Sequence, residues 1–199
     1  MGPRLVALVA LLWGTVSFAA EPAPAPFHSR LESEVLAEIN RARTDPRGYA
    51  GGLRRLRDSF RDRFSYVDDG VNYLTREGID AVDEAIAFLQ QVRAVPALAG
   101  SRGLALAARD LVLDQALRGG TGHVASDGSD PLRRLERYIV LPPSHFLTQA
   151  GRVAVSEVIA YGRDRARAIV AILIVDDGVP GRGHRLAVFD PRFSHAGVA

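Results

Sequence analysis

A histidine stands at position 184 in the stretch Asp176-Asp177-Gly178-Val179-Pro180-Gly181-Arg182-Gly183-His184-Arg185. A turn this rich in glycine and proline displays side chains instead of burying them. An imidazole held there can transfer protons or bind a metal. A second histidine, His123, follows Gly122 and precedes Ser126-Asp127-Gly128-Ser129-Asp130-Pro131, and an acid, Glu157, sits in Ser156-Glu157-Val158-Ile159-Ala160-Tyr161-Gly162. Taken singly, each histidine reads equally well as a surface residue, and His184 also as a cap on neighbouring backbone. His28, His145 and His195 match no motif. Gly128-Ser129 is a turn and not a nucleophile elbow, and no Ser-His-Asp arrangement has recognisable local context.

The elements that must carry these residues follow from caps and periodicity. Ser29 and Glu32 form a capping box for a first helix, with Leu31, Val35, Ile39 and Ala42 on one face and Pro46 as its stop. Arg47 to about Phe64 reads as a polar helix interrupted by Gly51-Gly52, and Ser65 to Gly78 as an irregular connection. Asp80 opens a helix with Val82, Ile86 and Leu89, which ends before Pro96. Ser101 to about Leu117 is a helix closed by Gly119-Gly120, leaving His123 on the loop Thr121 to Asp130. Asp130-Pro131 starts a short helix through Tyr138. Val153 to Tyr161 is a strand bearing Glu157. Ala168 to Val175 is apolar all round and fits a strand by composition, but Arg165, Arg167 and an Asp164 cap favour a helix from Arg165 to Val175. Few strands among many helices gives the α+β class.

The ends and the composition address destination. Arg4 precedes an apolar run from Leu5 to Val16, too short to span a bilayer, and Ser17-Phe18-Ala19 supplies small residues for cleavage. Residues 1–19 are therefore expected to be a signal peptide, with an uncleaved anchor as the alternative, and residues 20–29, with prolines at 22, 24 and 26, a tether. No later segment is long and apolar enough for a membrane span. The expected location is secreted, periplasmic or cell envelope. The 25 basic residues are all arginine, and loss of residues 1–19 leaves 24 against 23 acids, a net charge of +1. The basic isoelectric point reflects arginine that does not titrate, not a large positive field. Arg54 to Arg63 is interspersed with Asp58 and Asp62 and reads as a solvated helix face, so nucleic acid is disfavoured as a partner. With no cysteine, stability must come from an ordinary core.

In combination, the Gly122-His123 stretch, the Ser156 to Gly162 stretch, the His184 turn followed by Phe189-Asp190-Pro191-Arg192-Phe193, and Glu34 to Pro46 resemble the bacterial branch of the CAP superfamily. That superfamily takes in cysteine-rich secretory proteins, antigen 5 and the plant pathogenesis-related 1 proteins. The resemblance, from about Leu31 to the last residue, implies a single CAP-like (SCP) domain over 30–199. It implies a three-layer α-β-α sandwich around one central antiparallel sheet. It also implies a cleft where His123, His184, Glu157 and a second acid meet, the second acid being Asp176 or, alternatively, Asp177. Such a set suits zinc or another divalent metal.

The sequence departs from the family pattern in places. Val158 stands where an asparagine is expected, Ile139 follows Tyr138 in place of glycine, and Val140 to Phe146 has no counterpart. The chain runs to Gly197-Val198-Ala199 where the family continues into one or more final strands, so a shortened domain is expected, with unpaired backbone at a sheet edge. Three functions stay open. One is a non-catalytic module that binds a metal, a small molecule, a lipid or a protein in the cleft. The second is a metal-assisted hydrolase, peptidase-like, with Glu157 as general base. The third is a structural envelope protein.

Overall fold

The computed structural model describes residues 5–13, 29–140 and 154–199. The expected cleavage residues Ser17 to Ala19, nearly all of the tether, and 141–153 of the unplaced stretch lie outside the described residues. The chain is mixed helix and strand, as expected for α+β. Helix α1, Arg30–Thr44, opens on the capping box: Ser29 Oγ accepts from the Glu32 amide, and the Glu32 carboxylate accepts from the Ser29 amide. Its buried face carries Val35, Ile39 and Ala42, together with Arg43. That arginine binds backbone in place of an acid, donating to the carbonyls of Pro96, Val188, Asp190 and Phe193. It thereby ties α1 to the last segment of the chain.

Asp45 caps α2, Pro46–Asp58, which Pro46 starts as well as ending α1. The helix runs unbroken through Gly51-Gly52, contrary to the expected interruption. Burial of Tyr49, Ala50 and Leu53 outweighs the roughly 1 kcal/mol that each glycine costs a helix. Ser65 to Gly78 is also more regular than expected. Strands β2, Ser65–Asp68, and β3, Val71–Leu74, form a hairpin that turns at Asp69-Gly70. Both turn residues have positive φ, 52° and 75°, which matches the twist of the flanking strands. Helix α3, Ile79–Gln91, is capped at Gly78, and Asp80 lies in its first turn.

A four-stranded sheet has the order β4-β6-β1-β5, where β1 is Leu5–Trp13, β4 Ala99–Gly100, β5 Ala154–Tyr161 and β6 His195–Val198. Strand β1 is antiparallel to both neighbours, and the two-residue β4 runs parallel to β6. The segment expected to be a signal peptide thus supplies a strand between β5 and β6. Cleavage after Ala19 would take that strand away.

Helix α4, Arg102–Arg118, packs on β1 and β6. It comes so close to β6 that a Cβ on Gly197 would lie 2.0 Å from the Ala105 amide nitrogen. Alternate residues of β5 join different apolar clusters. Val158 and Ala160 pack with α1, α2 and α6, Ala166–Val175, while Val155 and Ile159 join clusters built on α4. The apolar run Ala168 to Val175 is helical, with Arg165, not Asp164, at its cap. Helix α5, Pro131–Leu135, begins at the Asp130 cap and stops three residues short of Tyr138. Helix α7, Gly183–Val188, follows a 3-10 turn at Pro180–Arg182, so His184 sits on a short helix and not on an open turn.

Candidate functional site

The loop after α4 is fixed before it reaches His123. Gly119 closes the helix at φ 76°. Gln115 Nε2 then donates to the Gly122 carbonyl at 2.6 Å, the Gly122 amide donates to Tyr161 Oη at 3.0 Å, and Tyr161 Oη donates to Gln115 Oε1 at 3.1 Å. This triangle joins α4, the loop and the end of β5. The next residue, His123, is held from two directions. Its carbonyl accepts from Arg134 Nη1 at 3.0 Å, and its ring Nδ1 lies 2.9 Å from Glu157 Oε1.

Arg134 on α5 completes the arrangement: Nη2 donates to Glu157 Oε2 at 2.5 Å and Nη1 to the Ser129 carbonyl at 2.8 Å. The Arg134 and Glu157 side chains are 0% and 2% exposed, whereas that of His123 is 45% exposed. A buried ion pair therefore stands behind an accessible imidazole.

His184 is held in a parallel way. Asp176 ends α6 in the left-handed conformation, φ 57°. Its Oδ1 lies 2.7 Å from His184 Nδ1, and its Oδ2 accepts from the His184 and Arg185 amides at 2.9 and 3.3 Å. Arg182, also left-handed at φ 55°, locks the intervening loop. It donates to the Asp176 carbonyl and to the carboxylates of Glu77 and Glu84. These bonds hold the Glu77 carboxyl down at about 2, and Arg182 likewise lowers that of Glu84. The buried Arg185 binds the Ile174 and Val175 carbonyls, which the end of α6 leaves without helical partners. Asp177 faces elsewhere and accepts from the Arg76 and Glu77 amides. Of the two acids considered from sequence, Asp176 is the one beside His184.

The two imidazoles meet with ring centroids 6.4 Å apart and planes inclined by 50°. An Nδ1–H donated to a carboxylate leaves the lone pair of a neutral ring on Nε2, and the carboxylate fixes ring orientation and raises ligand basicity. Two rings sharing one ion at about 2.1 Å from each nitrogen have centroids no more than about 6.5 Å apart. The observed separation lies at the open end of that range.

The carboxylates occupy a different position from the one expected. Glu157 and Asp176 stand behind the histidines, with their oxygens engaged by protein donors, instead of beside them as ligands. Among the described residues no group of three or more histidine or acidic side chains is arranged to hold a metal ion. Glu157, its side chain 2% exposed, has Arg134 on one oxygen and His123 on the other.

Sequence reasoning did not find Arg134, Arg182, Gln115 or Tyr161. A buried acid on β5 calls for a cation, but with 25 basic residues nothing in the sequence marks Arg134 as the one. No family model, no curated protein and no solved structure matches this chain.

Proposed function

We propose that this chain is an exported, non-catalytic binding module of the CAP type, an α-β-α sandwich whose His123–His184 cleft takes one divalent metal ion through the two Nε2 atoms. The observation that carries the reading is the pair of acid–histidine contacts, Glu157 with His123 and Asp176 with His184, converging from separate elements on rings 6.4 Å apart. Zinc and copper suit imidazole nitrogen, and such an ion would supply a Lewis-acidic centre for an organic ligand. A cavity of about 550 Å³ bordered by His184 and Asp176 has room for that ligand. Export rests on the signal character of residues 1–19. Hydrolysis is not part of the proposal, because Glu157 is buried behind His123 and ion-paired to Arg134, which disfavours it as a base for a water.

Calorimetry with zinc and copper, on protein carrying no histidine tag, tests the reading. One ion per chain is expected near neutral pH, with affinity falling on acidification as protons compete for the ring nitrogens. The double change His123→Ala, His184→Ala should abolish binding. Glu157→Gln or Asp176→Asn should weaken it by about 10–100-fold, as loss of a carboxylate partner behind a ligating histidine does. Absence of binding, or binding indifferent to the double change, refutes the metal site. Metal-dependent peptide hydrolysis lost in Glu157→Gln, with binding retained, would replace the binding module with the hydrolase.

A further inference from the structure

Four arginines, Arg55 on α2 and Arg163, Arg165 and Arg167 around the start of α6, line a cavity of about 270 Å³ in which Asp68 is the one acid among the described residues. Asp68 pairs with Arg165 at 2.6 Å. Arg163 is fixed without a carboxylate: its guanidinium lies 3.5 Å from the Tyr73 ring centroid, and Nη2 donates to Tyr66 Oη at 2.6 Å. Neither Arg55 nor Arg167 pairs with a described acid. The position of Arg167 depends on Gly52, where a Cβ would lie 2.5 Å from Nη2 of that guanidinium. The glycine that was expected to interrupt α2 instead leaves room for a cation. Three guanidinium groups thus share one concavity with no carboxylate bonded to them among the described residues, and planar guanidinium forks suit carboxylate and phosphate oxygens.

The walls between the arginines are apolar, formed by Leu56, Ala171 and Ile172. Leu56, Tyr66, Arg163 and Ile172 also wall the 550 Å³ cavity that extends past Leu173 and Val175 to His184. The two cavities therefore adjoin across shared side chains, the first carrying the arginines and the second lined by Phe60, Leu74, Val82 and Leu173 with Asp176 and Asp177 at its His184 end. We infer that together they bind an anionic amphiphile, its carboxylate or phosphate among Arg55, Arg163 and Arg167 and its apolar body directed toward His184. This site does not depend on a metal in the histidine cleft.

Calorimetry of the full chain, without added metal, is the test. The probes are decyl phosphate and decanoate below their micellar concentrations, decanol as the neutral body, and inorganic phosphate as the bare head. The anionic amphiphiles are expected to bind one per chain, at least about tenfold more tightly than decanol or phosphate, since charge-assisted hydrogen bonds and apolar contact must act together. Arg55→Gln with Arg167→Gln should weaken decyl phosphate about tenfold and leave decanol unchanged. Gly52→Ala keeps every charge and favours the helix but displaces the Arg167 guanidinium. It should weaken decyl phosphate without lowering the thermal midpoint. The change His123→Ala, His184→Ala should leave decyl phosphate binding intact, which separates this site from the metal cleft. Equal affinity for decanol and decyl phosphate, or unchanged affinity in both the arginine and Gly52 variants, overturns the anion site. Inorganic phosphate binding as tightly as decyl phosphate overturns the amphiphile.

Discussion

Arg134 and Glu157 form a nearly solvent-free ion pair, and its value lies less in net stability than in what happens when one member is removed. Arg134→Ala leaves a buried carboxylate without its arginine, deprives the His123 carbonyl of its donor and leaves the Ser129 carbonyl with the Ala125 amide alone. Breaking such a pair costs on the order of 3–5 kcal/mol, whereas replacing both members by apolar residues is often close to neutral. Urea unfolding should therefore show a large loss for Arg134→Ala and a much smaller one for Arg134→Met combined with Glu157→Leu. The double variant should still bind zinc poorly, because His123 has lost the carboxylate that orients its ring. Equal losses in the single and double variants would mean that packing, not charge, dominates at this position.

The loop from Asp176 to His184 is held at its outer side by Arg182 between Glu77 and Glu84. Glu77 titrates at about 2 in the folded protein against an ordinary value of 4.5, chiefly through its bonds to Arg182. A depressed carboxyl stabilises the folded state fully above its ordinary range and loses that contribution as pH falls toward its folded value. Wild type and Glu77→Gln should accordingly differ in thermal midpoint near neutral pH and converge as pH drops from about 4.5 to about 2. A constant difference across that window would show that the clamp does not depend on the Glu77 charge. Helices and loops of this kind were unequally legible. The Ser29–Glu32 box and the Gly119 stop are local hydrogen-bond devices and could be read directly, but the β2–β3 hairpin was not. Its signal, Asp69-Gly70 between two short runs, was outweighed by the polarity of the surrounding residues.

Strand β1 makes the whole molecule depend on its first residues. It pairs with β5 over Leu5 to Trp13 and with β6 over Val9 to Leu12. A chain beginning at Ala20 leaves both neighbours with unpaired edges facing each other. Such a chain should unfold at a midpoint lower by on the order of 10 °C or more, and should associate in size-exclusion chromatography unless another strand enters the gap. An unchanged midpoint would show that the sheet does not need β1. Amino-terminal sequencing of protein from its native host then tells which use of the segment prevails. A start near Ala20 or Glu21 means export with β1 removed, and an intact Met1 means that the strand is kept.

The candidate site residues, the Ser29 and Asp130 caps, the Gly119 stop and the α+β class were legible without coordinates, because each depends on side-chain chemistry or on spacing within one turn, whereas Asp80 and Asp164 were misplaced as caps. His123, Glu157, His184 and Asp176 were named from their motifs, and the structure brings all four together. Their partners were decided by tertiary contacts. Whether a carboxylate ligates a metal or orients a histidine depends on which oxygens other elements claim, and Arg134, remote in sequence from Glu157, claims one of them. Asp176 and not Asp177 contacts His184 for the same kind of reason: a left-handed turn aims the first at the ring, and the amides of Arg76 and Glu77 take the second. An apolar run such as Leu5 to Trp13 has no local preference strong enough to separate a targeting segment from a strand. Only the open place between β5 and β6 gives it a partner on each side.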